Sequence, residues 1–347
     1  MPEQIRGISR RTVLKATAVG GAAALPLSLA GPASAGIGAP RVVKSPDGRL
    51  LVKVFHTPAG LFWSVVHDNV EVVLRSPLGL RMVGEGEPLG AGARLLDGAL
   101  TASSGSWAPP YGRFAELSTD HRELNLVFSD EERGIDFQIV ARAYNQGAAI
   151  RFVLLRAPKA ALWIDGETTE YRLQPGSLVW ASRDESDYSR VPAHAIPQTS
   201  NGVSDVGRLA DIPVTVEVPS GARISLAESA REHYPRLLLS SVVGAQDTLG
   251  AYLATSAQRG GGPSSSSFLV ALPFETPWRT VTVGANASEL ANNADLVTLL
   301  GRPNILGDTS WIRPGKAFRT GLSTLAGIQG VDFAVARNLQ YVHFDAG

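Results

Sequence analysis

Between Arg41 and Gly284 the sequence keeps a two-residue hydrophobic period punctuated by Gly, Pro, Asn and Asp, a pattern that admits little besides antiparallel sheets. Successive side chains of a strand point to opposite faces, so Leu50-Leu51-Val52-Lys53-Val54-Phe55 and Leu61-Phe62-Trp63-Ser64-Val65-Val66 each send one set inward. Ser45-Pro46-Asp47-Gly48, Thr57-Pro58-Ala59-Gly60 and Asp68-Asn69 read as turns between them. Further strands are expected at 70–74, 123–128, 135–144, 148–155, 168–173, 214–218, 224–230, 236–242, 248–255 and 280–284. So many short strands predict a mostly β chain built as a sandwich. No linker-like stretch divides residues 40–286, which predicts one sandwich rather than two domains. Gly260-Gly261-Gly262-Pro263 and the serines after it read as a flexible surface loop. Helical spacing first occurs at 288–300, a helix or a helix-plus-strand connector.

The chain has no cysteine, which excludes disulfides and zinc-thiolate sites and makes the apolar core its main support. Residues 1–35 are a targeting segment: Ser9-Arg10-Arg11-Thr12-Val13-Leu14-Lys15, a mildly apolar run to Ala30 interrupted by Pro26, and an A-x-A site at Ala33-Ser34-Ala35. That run is too short to cross a bilayer, and cleavage is expected after Ala35. Twin-arginine cargo is exported folded, so the destination is extracytoplasmic. The segment holds Arg6, Arg10, Arg11 and Lys15 against Glu3, so a chain of formal net charge 0 leaves a mature protein near −3. Such a balance does not attract nucleic acid or anionic lipid.

Past Pro314-Gly315 the period changes. Leu325, Ile328, Val331, Phe333 and Val335 recur at helical intervals up to Asn338, a left-handed helix stop, and the apolar strand Tyr341-Val342-His343-Phe344 follows. A helix feeding a strand after a two-residue turn is the repeating unit of a parallel α/β sheet or barrel, and Asp345 stands where barrels place their site residues. A barrel takes eight strands and about 250 residues. The segment is therefore expected to be the start of a barrel whose remainder this chain lacks.

Other chemistries fail on spacing. The six histidines show no H-x-H or H-E-x-x-H pattern, and no G-x-S-x-G, P-loop or Rossmann fingerprint occurs in a strand-turn-helix context. Glu131-Glu132 and Asp184-Glu185 are sequence neighbours that would point apart on a strand, so they make poor acid/base couples.

Several stretches taken together resemble glycoside hydrolase family 97. They are Ser45-Pro46-Asp47-Gly48, Ser76-Pro77-Leu78-Gly79-Leu80, Arg142 to Phe152 (RAYNQGAAIRF), Glu167-Thr168-Thr169-Glu170, Leu226-Ala227-Glu228-Ser229-Ala230, Thr276-Pro277-Trp278-Arg279 and Asp308 to Lys316 (DTSWIRPGK). The resemblance implies an exported α-glycosidase with an N-terminal β-supersandwich joined to a (β/α)8 barrel. On that reading residues 1–35 are the signal, 40–303 the supersandwich, and 304–347 the connector and truncated start of the catalytic barrel. The family's catalytic carboxylates lie on later barrel strands, so no catalytic residue is assigned here.

The same resemblance makes Glu228 the position at which the N-terminal domain lends a glutamate to an active-site calcium ion. Calcium wants six to eight oxygen ligands, so one carboxylate cannot hold it tightly without the barrel. Alternatively, Glu228 is a solvated acid at a strand end beside Arg231 and Glu232. Asp345 would accept hydrogen bonds from substrate hydroxyls, or is a frayed residue near the terminus. Trp278 with Arg279, and Trp311, are either a sugar platform or tryptophans packing the sandwich on the barrel, and are expected to be interface residues. Residues 180–188, with Arg183, Asp184, Glu185 and Asp187, form a polar loop that faces an active-site mouth or is merely solvated.

The expected partner is a carbohydrate, an α-glucoside or α-galactoside, and the expected cofactor is calcium once the barrel is complete. Alone, the chain is expected to be inactive. The competing reading is a non-catalytic carbohydrate-binding or structural module that keeps only the sandwich. A third is a barrel encoded separately or in a shifted frame downstream. Replacing Arg10 and Arg11 by lysine should strand precursor in the cytoplasm on immunoblots of cytoplasmic and exported fractions. Undiminished export, or a mature start far from Gly36, contradicts the signal assignment.

Overall fold

The alternating runs become strands whose inward residues are dry. The computed structural model describes residues 39–109, 112–182, 188–197, 209–254, 267–302 and 305–345. The signal segment and the Gly/Ser loop lie outside them. In chain order the strands are β1 (Arg41–Lys44), β2 (Leu50–Thr57), β3 (Gly60–His67), β4 (Val70–Leu78), β5 (Leu80–Met82), β6 (Arg94–Ser103), β7 (Ser106–Trp107), β8 (Leu117–Ser118), β9 (His121–Asp130), β10 (Ile135–Tyr144), β11 (Gly147–Arg156) and β12 (Ala161–Glu167). They continue with β13 (Glu170–Arg172), β14 (Leu178–Ser182), β15 (Tyr188–Pro192), β16 (Ala210–Glu217), β17 (Arg223–Ser229), β18 (Arg236–Val242), β19 (Ala245–Ala254), β20 (Phe268–Ala271), β21 (Phe274–Glu275) and β22 (Trp278–Gly284).

One layer runs β6, β9, β10, β11, β22, β17, β16, β14, β15, with β21 also beside β11. The other runs β1, β2, β3, β4, β13, β19, β18. Pairing of Ala210 with Leu239 and Asp211 with Leu238 joins β16 to β18, so both layers belong to a 17-stranded antiparallel sheet. A separate three-stranded sheet holds β5, β12 and β20.

The core lies between the layers. Leu126 and Phe128 of β9, Phe137 and Ile139 of β10, and Ile150, Phe152 and Leu154 of β11 meet Val52, Val54, Trp63 and Val65 of β2 and β3. Phe128 stacks on Phe137 at 5.2 Å between ring centres, and His56 of β2 meets Phe128 edge-on at 5.1 Å. Each large side chain so buried contributes about 1.5–3 kcal/mol. With no disulfide, this burial must offset the chain entropy lost on folding.

The outer face of β10, β11 and β22 has its own apolar cluster. Val140, Tyr144, Ala149, Val153 and Trp278 are covered by Leu296 and Leu300. The stretch 288–300 folds as two short helices, α1 (Ala287–Asn292) and α2 (Leu296–Leu299). The Asn286 side chain starts α1 by accepting the Glu289 N–H at 3.0 Å, while Glu289 accepts the Ala285 N–H at 2.9 Å. A Cβ on Gly284 would stand 2.2 Å from the Leu290 nitrogen, so only glycine lets α1 sit this close to β22. The Ser229 hydroxyl donates to the Val297 carbonyl at 2.6 Å and fixes α2 to β17.

Residues 302–347, with 107–117, cluster as a second unit. There β23 (Ala317–Thr320) and β24 (Tyr341–Phe344) pair in parallel around α3 (Thr324–Ala336). Ser323 caps α3 by accepting the Ala326 N–H at 3.1 Å, and Asn338 takes a left-handed φ of 53° after it. The helix buries small residues, Gly327, Gly330 and Ala334. A Cβ on Gly330 would stand 2.8 Å from Thr320, and one on Gly327 would stand 2.9 Å from Phe344, so close approach to the strands selects them. Of the apolar residues that marked the helix in the sequence, Phe333 stacks on Phe318 at 4.2 Å, but Leu325, Ile328, Val331 and Val335 are exposed. Beside α3 a groove of about 500 Å³ is lined by Leu322, Ile328, Val331 and Phe344 among others.

Candidate functional site

Glu228 stands directly opposite Arg279 in the β17–β22 register. Trp278 and Arg279 are consecutive on β22 and therefore point to opposite faces. Trp278 enters the outer cluster beneath α2, whereas Arg279 points into the interior. From the smaller sheet, Glu167 at the end of β12 reaches the same guanidinium. Arg279 donates from Nε to Glu167 Oε1 at 2.9 Å, from Nη2 to Glu167 Oε2 at 2.5 Å and from Nη1 to Glu228 Oε2 at 2.8 Å. The side chains of Arg279, Glu167 and Glu228 are 3%, 4% and 7% exposed.

Taking such ions out of water costs several kcal/mol each, and the two-pronged Arg–carboxylate geometry offsets it. Burial pulls the Arg279 pKa down, but attraction and hydrogen bonding to Glu167, with Tyr234 and Glu228 adding to it, raise it well above the usual value. The Tyr234 ring centre lies 5.7 Å from the guanidinium carbon, and burial pushes its phenol pKa up. Burial does the same to Tyr171, whose hydroxyl is buried without a hydrogen-bond partner.

Glu228 also organises the turn between β17 and β18. Its Oε1 accepts the Leu237 N–H at 3.3 Å and lies 3.4 Å from Arg231 Nε. Ala230 and His233 in that turn adopt left-handed φ angles of 54° and 52°, which non-glycine residues hold only when their surroundings impose them. The anchored carboxylate is part of that restraint.

Both oxygens of Glu228 are thus engaged by donors, and its nearest charged neighbours include two arginines. Calcium would require several further oxygens in place of buried guanidinium. Among the described residues no group of three or more His, Asp or Glu is placed to hold a metal ion. The described residues around Glu228 do not by themselves make a calcium site. Nor do they fit general acid and base catalysis, since both carboxylates accept from one cation instead of facing each other across a pocket.

The other candidates fall elsewhere. Trp278 is 2% exposed, with Arg142 and Arg151 over its ring at 4.8 and 4.2 Å, so no sugar can stack on it. Its packing partners belong to the sandwich itself, which corrects the expectation that it packs the sandwich on a barrel. Trp311 is 67% exposed and donates from Nε1 to the Asp308 carbonyl at 3.1 Å. Asp345, just past β24, pairs with Arg319 at 2.8 Å in an exposed contact, which on general grounds adds little stability. Arg183, Asp184, Glu185 and Asp187 lie outside the described residues. On β14, Trp180 donates to Glu217 at 2.7 Å, and Arg190 pairs with the same carboxylate at 2.7 Å. Hydrogen bonds from Arg190 and Trp180 hold Glu217 down to about 2.

Residues 43–303 match the family model described as the glycosyl-hydrolase 97 N-terminal region. The chain belongs to glycoside hydrolase family 97. Residues 7–26 match the twin-arginine signal model, so this family 97 chain is directed to twin-arginine export. It is 27% identical over 339 residues to a retaining α-galactosidase of Bacteroides thetaiotaomicron, covering 87% of this chain and 49% of the relative. A probable retaining α-galactosidase of Streptomyces bingchenggensis is 26% identical over 334 residues, covering 90% of this chain and 46% of the relative. The chain thus spans about half the length of the curated relatives it matches. A family 97 enzyme from Pseudoalteromonas sp. strain K8, solved with panose, shares the fold at a TM-score of 0.74 and 22% identity, over 88% of this chain and 47% of that one.

The Arg279→Met variant leaves two buried carboxylates without their cation and should lose about 3–5 kcal/mol in urea unfolding. Asp345→Asn, which breaks an exposed pair, should change stability by no more than about 0.5 kcal/mol. Equal effects would contradict this ranking.

Proposed function

We propose that this family 97 chain is the non-catalytic front part of an exported α-glycosidase and that the hydrolytic carboxylates belong to a (β/α)8 barrel of which β23, α3 and β24 are the first elements. The observation that carries the reading is the match of residues 43–303 to the family's N-terminal region. The geometry agrees with a supporting role. Glu167 and Glu228 share Arg279, so neither is free to shuttle a proton. In the second unit, parallel strands bridged by a helix are the unit from which barrels are built, and the exposed stripe of Leu325, Ile328, Val331 and Val335 is what such a helix would bury against neighbours.

The substrate class is an α-glycoside. Its support is the α-galactosidase relatives and the solved family members bound to panose and acarbose. Asp345, just past the carboxyl end of β24, would accept hydrogen bonds from substrate hydroxyls once a barrel surrounds it.

An antibody raised against the sandwich should deplete α-galactosidase or α-glucosidase activity from the secreted fraction of the native organism. The purified chain by itself should release no nitrophenol from either aryl α-glycoside. Failure to deplete activity contradicts the assignment to the enzyme. Release by the pure chain that Glu228→Gln abolishes would instead place the chemistry in the sandwich.

A further inference from the structure

The acids at the end of β12 and in β17 come together as a metal site would have them. They are buried and aimed at one point, with the Tyr234 ring centre 5.7 Å from the carbon of the guanidinium they share. That point is held by a guanidinium. We infer that Arg279 is the resident cation of this site, so that the sandwich is held together without calcium and removing the arginine side chain opens a latent cation site between Glu167 and Glu228.

The fork geometry explains why arginine serves and a metal does not. Nε and Nη2 grip both oxygens of Glu167 while Nη1 reaches Glu228, so one planar ion satisfies acids arriving from two different sheets. The remaining Glu228 oxygen is directed to the Leu237 amide and Arg231. A calcium ion would have to displace a cation that is covalently part of the chain, and it would meet two carboxylates instead of the six to eight oxygens it prefers. With Arg279 truncated to alanine, the two acids would border a void of guanidinium shape and net negative charge. A free guanidinium ion has the donors and the planarity to occupy it.

The test is thermal unfolding of the full exported chain. The wild-type midpoint should be the same in EDTA and in millimolar calcium. Arg279→Ala should unfold at a lower temperature, and about 10 mM guanidinium, too dilute to denature appreciably, should raise its midpoint by ~3 °C while leaving wild type unmoved. An equal concentration of sodium should not do so, and adding Glu228→Gln to Arg279→Ala should abolish the rescue. Should Arg279→Ala fail to fold, Glu228→Gln alone decides. It should lower the midpoint equally with and without calcium. A calcium-dependent rise in the wild-type midpoint that Glu228→Gln removes would overturn the inference. So would a folded Arg279→Ala variant that guanidinium does not stabilise more than sodium does.

Discussion

A single buried guanidinium ties this sandwich together. Arg279 joins residues 112 and 51 positions away in the chain, Glu167 from the three-stranded sheet and Glu228 from β17. Apolar packing is non-directional and tolerates small slips between layers, whereas a bidentate ion pair has one geometry. The pair therefore fixes where the end of β12 meets the β17–β22 seam. It also limits what these acids can do, because a carboxylate committed to a buried arginine is poorly placed to bind a metal or pass a proton.

Much of the sandwich was legible where one face is buried and the other is not. The runs at 50–55, 123–128 and 135–144 alternate in sequence, and they fall in the strands β2, β9 and β10. Strands that lack that asymmetry were not marked. In β6 nearly every residue is exposed or half-exposed and its ladder partner is β9, so Arg94–Ser103 carries no apolar period to read. The strands β14 and β15 are short and their aromatic residues Trp180 and Tyr188 face water, so these read as loop residues. In α3 the helical period is legible but the orientation of the helix is not. The bulky apolar residues suggested the packed face, yet contact with β23 and β24 requires glycine and alanine.

For the site, sequence singled out Glu228 and Arg279 but put them to different uses. Reading Trp278 and Arg279 as one aromatic-plus-arginine pair overlooked the strand period, which sends neighbours to opposite faces. Glu167 drew notice only as part of a motif resembling the family. Nothing local in Asp165-Gly166-Glu167-Thr168 announces a partner 112 residues away. Distant ion pairs become visible only when sheet order is known. The placement of Glu228 opposite Arg279 then follows directly from register. Asp345 was easier to place, since the helix–turn–strand pattern before it is local, though its neighbour Arg319 came from pairing of β23 with β24.

The most direct measurement of the central claim is a thermodynamic cycle on urea unfolding that compares Arg279→Met, the paired change Glu167→Gln with Glu228→Gln, and all three substitutions together. If the guanidinium and the two carboxylates form one unit, the combined variant should be more stable than the summed losses imply, by at least about 2 kcal/mol, because no buried charge is left without its counter-ion. Losses that add to within about 0.5 kcal/mol would show that the groups act independently and would contradict the account.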